Sequence, residues 1–329
     1  MKKESLAGTV NEISITEFED VKIGNADDIS GGTGCTVLLF DQGAPAGLDV
    51  RGGGPASRES ELLKPMAAAE IIHAILLSGG SAFGLDAAGG VMKYLEDHDI
   101  GFDVGVTKVP LVCQSCLFDL TVANCRARPN QALGYQACAN AQNNNYQDGC
   151  HGAGTGATVG KLHGMDCCMK SGIGSYAVQI GELKVGAVVA VNALGDIYDW
   201  KTGQKIAGLL GTDGRTFLDT EDEMCKSYEV VSNKFVGNTT LGVILTNAGF
   251  SKSALCKIAG MAHDGYARSI RPVHTTADGD SIYAVSLGAV SADQDMVGTL
   301  AARVMAEAIC RAVRNADSAY GYPSVKDLI

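Results

Sequence analysis

Apolar and polar residues alternate along this chain in short, well-bounded runs. TVLLFDQ (36–42) and GLDVRGG (47–53) have the length and aliphatic content of two strands separated by a turn. EIIHAILLSGG (70–80) is an apolar run closed by glycines. In SAFGLDAAGGVMKYLEDHD (81–99), Phe83, Leu85, Ala88, Val91, Met92 and Leu95 fall on one helical face, with Ser81 as the expected N-cap. GVTKVPLV reads as a further strand, 128–142 as a helix, and NNNYQDG after it as a polar loop. Residues 175–199 form an antiparallel strand pair turning at Gly181 and Glu182. From 201 to 234 the chain is polar and weakly patterned, which predicts a long surface loop of the kind that is functional or mobile. Beyond it the pattern predicts a strand (240–247), a helix (252–269), a strand (281–288) and a last helix (293–314). That helix has Met296, Leu300, Val304, Ala308 and Val313 on one side. Strands and helices come in pairs, which favours an α+β layered sandwich over a doubly wound sheet.

Composition narrows the class of partner. The chain has 329 residues and a formal net charge of −11, which argues against nucleic acid or an anionic membrane surface. No apolar run has the roughly 18 to 20 residues needed to span a bilayer. The start, MKKESLAGTVNEISITEFED, lacks the apolar core of an export signal, so a cytoplasmic protein is expected. The eleven cysteines are then expected to be reduced thiols, mostly small buried residues. Cys113 and Cys116 form a C-x-x-C, but no second pair at zinc spacing accompanies it.

Several motifs invite a chemical reading. GAGTGATVGK matches a dinucleotide fingerprint only loosely, and neither the flanking strand nor the following helix is in place. Thr155 and Leu162 stand where a phosphate-binding loop needs glycine and Ser/Thr. What remains is a glycine-rich loop delivering Lys161, either to a tightly packed site or to solvent. In VVAVNALGD, Asn192 ends an apolar strand, where an amide closes a turn or donates into a cleft. HTTADGDSIYAV places Asp278 and Asp280 on either side of Gly279, so that both can face one partner or merely a surface turn. GNTTLGVILTNAG sets Thr239 and Thr240 at the mouth of a strand. A threonine hydroxyl is a weak nucleophile unless a base lies beside it, and one such base is the α-amine of the same residue at a chain start. A cut between Asn238 and Thr239 would create that start.

Taken together, RGGGPASRESELL, LLSGGSAFGLDAAGGVMKYLE, GAGTGATVGK, VVAVNALGD, GNTTLGV and the late DGD resemble one family from about Ile13 to the last helix. It is the self-cleaving N-terminal-nucleophile amidases, which include DmpA-type aminopeptidases, β-peptidyl aminopeptidases and nylon-oligomer hydrolases. The last branch is the most similar in its Asn-Thr junction and in the spacing of its two aspartates.

The resemblance implies a four-layer αββα sandwich over 1–329, shared with ornithine acetyltransferases. It also implies self-cleavage between Asn238 and Thr239 into an α chain (1–238) and a β chain (239–329). It further implies a site of Thr239, Lys161, Asn192, Asp278 and Asp280. Thr239 would be the nucleophile, its new amine the base, Lys161 a cation lowering that amine's pKa, Asn192 an oxyanion donor, and the aspartates orienting groups. Small amides or short peptides are the implied substrates, without metal or organic cofactor, and the cleaved units are expected to assemble as homo-oligomers. Transfer of the acyl group to an amine, or a non-catalytic binding role, are the alternatives. One departure stands out: the family's tyrosine is missing from CQSCLFDL, where Phe118 is the nearest aromatic. Arg51 is expected to anchor a carboxylate or to form an interior ion pair.

Overall fold

Along the strand Leu183–Asn192 the buried residues divide by parity. Val185, Ala187, Val189 and Val191 join one apolar cluster, while Val188 and Ala190 join another. A strand that is apolar on both sides must be covered on both faces, and here the covers differ. One face meets a second sheet and the other meets helices.

The structure is a computed structural model that describes residues 9–226 and 237–328. A six-stranded sheet runs in the order Asn11–Ile13, Ile173–Ile180, Leu183–Asn192, Thr239–Ala248, Ser281–Val290 and Ala46–Val50. A five-stranded sheet runs Lys22–Asp28, Thr33–Ala44, Ile72–Ser78, Val112–Cys116 and Ala56–Arg58. Each sheet is antiparallel except for one parallel pair. Parallel neighbours need a crossover. The helix Lys252–Ser269 makes one of the two connections, and Ala87–Asp97 lies on the other.

Leu38, Ile75 and Leu77 meet Val188, Leu241, Val243 and Tyr283 between the sheets. Helices Lys252–Ser269 and Gln294–Asn315 cover the outer face of the larger sheet, and Ala87–Asp97 with Gln131–Ala141 that of the smaller. The α+β layered sandwich expected from the paired elements, and the αββα order implied by the family resemblance, are therefore present. The glycines of AAGG allow the second helix pair to touch backbone to backbone. A Cβ on Gly90 would lie 1.8 Å from the Gln131 carbonyl oxygen, and one on Gly134 2.0 Å from that of Ala87.

Two expectations change. Ser81 does not cap a helix: its φ is +53°, Ser81–Asp86 winds as a 3-10 turn, and the α-helix begins at Ala87. At three residues per turn the apolar phase is lost. Phe83 therefore lies exposed under the Arg128 guanidinium, 3.5 Å from its ring centroid. The segment after 201 is also more ordered than a surface loop, with a strand at Lys205–Ala207 and a short helix at Thr220–Cys225. Buried Asp196 ties it down by accepting from Lys205 Nζ (2.6 Å), Leu209 N (2.7 Å) and the Thr220 amide and hydroxyl (each 2.8 Å). The remainder of that predicted loop, 227–236, lies outside the described residues.

All eleven cysteines are unpaired, and no group of residues able to hold a metal occurs among the described residues. Cys113 and Cys116 sit three apart on a strand, hence on opposite faces, and burial raises both thiols to about 12.

Candidate active site

Thr239 opens its strand directly opposite Asn192, the last residue of the neighbouring strand. Thr239 shares parity with Leu241 and Val243, and Asn192 with Val188 and Ala190, so both side chains are directed into the gap between the sheets. Lys161, Asn192, Asn238, Asp278 and Asp280 are each 2% exposed or less, and Thr239 4%. Fully buried polar groups of this density require partners, and they find them partly in one another and mostly in flanking residues such as Thr158, Phe118, Thr240, His274 and Thr275.

Lys161 reaches the site because Gly160 takes φ +75°. A Cβ at Gly160 would lie 2.1 Å from the Gly208 carbonyl carbon, so no other residue fits there. The Lys161 ammonium donates to Asn192 Oδ1 (2.7 Å), to the Asn192 carbonyl (3.3 Å) and to the Gly237 carbonyl (3.4 Å). Burial lowers its pKa to about 8, against the opposing pull of Cys168, Asp278 and Asp119. Asn192 Oδ1 also accepts from Thr158 N (3.1 Å), and its amide donates to the Phe118 carbonyl (2.9 Å) and the Gly237 carbonyl (3.5 Å). Of the two readings open to Asn192, the turn-closing one is excluded: every bond of its side chain goes to another segment.

Among the described residues the two aspartates hold different partners. Asp278 Oδ2 accepts from the Thr275 amide (2.8 Å) and hydroxyl (2.5 Å). Asp280 Oδ1 accepts from Thr240 N (2.8 Å), and its Oδ2 from the His274 amide (3.1 Å) and His274 Nδ1 (2.8 Å). Burial and the charge of Asp280 raise the pKa of Asp278. Between them, Gly279 N donates to the Asn238 carbonyl at 3.0 Å, and the Thr239 hydroxyl donates to that same oxygen. A Cβ on Gly279 would be 2.6 Å from Thr239 Oγ1. The glycines of RGGG serve the same close packing: Arg51 N (3.0 Å) and Gly52 N (3.3 Å) donate to the Asp280 carbonyl, and a Cβ on Gly52 would lie 2.3 Å from Asp280 N. The Arg51 side chain is exposed and pairs with Asp49 (3.5 Å), so it anchors no carboxylate in the site and forms no interior pair.

Two residues the motifs did not single out belong to this cluster. Asp119 is buried and accepts from the Thr33 hydroxyl (2.6 Å) and Gly80 N (2.7 Å); burial raises its pKa to about 6, against the nearby Lys161 charge. Its signal in the sequence was an acid set within the apolar stretch CLFDL. His274 is the other, four residues before Asp278. Phe118, where the family's tyrosine was expected, is half-buried, and its ring lies so close to Gly237 that a Cβ there would be 2.0 Å away.

Residues 13–326 match the model of Peptidase family S58. The chain belongs to this family. An uncharacterized aminopeptidase of Mycobacterium leprae is 35% identical over 94% of this S58 chain and 92% of its own length. A 6-aminohexanoate-oligomer endohydrolase of Kocuria sp. is 29% identical over 91% and 85%. Among solved structures, the L-aminopeptidase D-Ala-esterase/amidase of Ochrobactrum anthropi, a variant of the Ntn-hydrolase fold, superposes with a TM-score of 0.68. It covers 92% of this chain and 86% of that one at 16% identity, a likeness of fold. The protein is a hydrolase acting on amide bonds. No described helix is long and apolar enough to cross a membrane.

Proposed function

We propose that this S58 hydrolase matures by cutting itself between Asn238 and Thr239, and that Thr239 is then its nucleophile. The observation that carries the proposal is the grip on the Asn238 carbonyl: Gly279 N–H on its oxygen, with the Thr239 hydroxyl against it. In the first step Oγ1 bonds to the Asn238 carbonyl carbon, its proton passes to the departing Thr239 nitrogen, and the C–N bond breaks to leave an ester. Water hydrolyses the ester, giving an Asn238 carboxylate and restoring the Thr239 hydroxyl beside the amine freed in the first step. Gly279 N–H is the oxyanion donor for this step, because the Asn192 amide is occupied by Phe118 and Gly237.

Cleavage makes Asn238 a chain end, so that Gly237 is no longer held at the site. Asn192 and Lys161 would then each lose a carbonyl contact that a substrate carbonyl can replace. In turnover the Thr239 amine takes the Oγ1 proton as the hydroxyl attacks the substrate amide, and Asn192 donates to the developing oxyanion. Lys161 disfavours a second positive charge nearby and so keeps the amine in its basic form near neutrality. Asp280, bonded to Thr240 N, balances the charge. No step calls for a metal or organic cofactor. The substrates are amides of short peptides, amino acids or ω-amino acid oligomers, a range that the names of the relatives support. The working unit is an α chain (1–238) with a β chain (239–329), assembled as a homo-oligomer. The eleven unpaired thiols fit a cytoplasmic setting.

The test is mass spectrometry of purified protein beside a Thr239→Ala variant. Two fragments meeting at 238/239 are expected for the first and one intact chain for the second. A Thr239→Ala chain that still splits would remove Thr239 as nucleophile. Product formation from an amino-acid anilide without any acceptor amine is expected for a hydrolase rather than a transferase.

A further inference from the structure

His274 stands at φ +59°, in the left-handed region that residues with a Cβ seldom occupy. Such a backbone is unfavourable and persists only where surrounding contacts hold it. The contacts here converge on one atom. Both the backbone amide and ring Nδ1 of His274 meet Asp280 Oδ2, at 3.1 and 2.8 Å. That leaves Asp280 Oδ1 to the Thr240 amide, one residue past the proposed cut. The ring is stacked on Tyr266 (centroids 5.8 Å apart) and edge-on to His263 (4.7 Å).

The tautomer follows from what surrounds the other nitrogen. His274 Nε2 is buried with no hydrogen-bond partner among the described residues. A proton there would be an orphaned buried donor, and Nδ1 would then turn its lone pair toward a carboxylate oxygen. A proton on Nδ1 removes both penalties. His263 does not compete for Asp280: its Nε2 donates to the Asp49 carbonyl (3.1 Å), and burial lowers its pKa to about 3.

We infer that His274 is a positioning residue of the site, whose strained backbone lets amide and imidazole clamp one Asp280 oxygen so that the other faces the start of the Thr239 strand. The inference rests on the proposed Thr239 amine as base: the clamp orients the carboxylate beside that amine, and loosening it impairs the chemical step more than substrate binding. Asparagine tolerates the left-handed backbone and carries a side-chain N–H at the same branch point, so it can remake the clamp. Alanine cannot.

The experiment compares His274→Ala and His274→Asn in the full chain, with active sites counted so that misfolded protein does not contribute. For His274→Ala, kcat should fall about 10- to 100-fold with KM within about twofold, and self-splitting should slow in parallel. His274→Asn should recover to within about fivefold of the parent. Unchanged kcat per active site in His274→Ala, or no recovery in His274→Asn, would overturn the inference. A second measurement does not depend on the nucleophile or on His274 variants folding. In uncut Thr239→Ala protein with labelled histidine, NMR should show a low-field Nδ1 proton on His274 that disappears when Asp280→Asn is added. Its absence in Thr239→Ala, or its persistence in the double variant, contradicts the clamp, whereas splitting of Thr239→Ala contradicts only the nucleophile.

Discussion

Two lysines lie buried at one small strand pair, Thr158–Val159 against Met169–Lys170, Lys170 within it and Lys161 two residues past its first strand, and their surroundings differ. Lys170 donates to three main-chain carbonyls, of Gly154 (3.1 Å), Ala157 (3.0 Å) and Ser171 (2.5 Å). Lys161 donates to a side chain, Asn192 Oδ1, and to the carbonyls of Asn192 and Gly237. Burial lowers the pKa of both, and Asp119 opposes that shift in both. Electrostatics alone therefore does not separate them. The acceptors do: main-chain carbonyls held by the fold make Lys170 a staple of the glycine-rich loop. Lys161 holds an amide whose other end meets Gly237, next to the proposed cut, so its bonds change when that bond is broken.

The sharpest way to break this comparison is to remove each ammonium with little change of shape. Lys161→Met should reduce self-splitting and turnover by about 10²- to 10³-fold with a smaller loss of stability than Lys170→Met, because Asn192 Oδ1 and the Gly237 carbonyl keep Thr158 N and the Asn192 amide as donors. Lys170→Met should do the reverse. Three buried carbonyls lose their donor, stability falls by about 2 to 4 kcal/mol, and activity per folded site is kept. Gel analysis of splitting and urea denaturation separate the two outcomes; equal losses of activity would erase the distinction.

Asn192→Ala tests the acceptor rather than the cation. With the proposed oxyanion donor gone, kcat should drop about 10²-fold or somewhat more, and KM should move little. Steady-state kinetics on cleaved enzyme gives the answer, and a loss confined to KM would place Asn192 in substrate binding instead.

The last effect falls on stability alone, a pH dependence that reaches both lysines through Asp119. Its folded pKa is raised from 3.8 to about 6, so the folded state holds a proton that the unfolded chain has already released. Its contribution is fully present below about pH 4 and is lost as pH rises through 6. The shift corresponds to roughly 3 kcal/mol. Denaturation of Thr239→Ala protein across this range, with and without Asp119→Asn, should show the parent losing about that much relative to the Asn variant. A constant difference would mean that Asp119 is charged throughout.

Where the sequence was legible, the reason is local. The helix at 252–269 and the hairpin at Gly181 and Glu182 lie where the period and the turn residues placed them, because each depends on contacts a few residues apart. The motif glycines were legible as signs of close approach, and Gly160, Gly279 and Gly52 supply it. Ser81 departs from the local N-cap pattern because its 3-10 turn is set by a remote bond, its amide donating to the Leu117 carbonyl at 2.9 Å. The segment after 201 reads as a surface loop because its organiser, Asp196, lies on another strand. Asp119 and His274 carry no motif of their own; each matters through a neighbour that folding supplies.

The order of apolar residues by itself determined that strands and helices would pair into layers, and the motif residues determined which chemistry to look for. Burial free energy is read from local patterns, so this much needs no coordinates. The structure alone decided that Thr239 faces Asn192 across one rung of the sheet, that Lys161 is buried beneath them, and that the two aspartates hold different partners. Hydrogen bonds are directional and act over about 3 Å, whereas these residues are separated by dozens of positions along the chain. Only the register of the strands brings them within that distance.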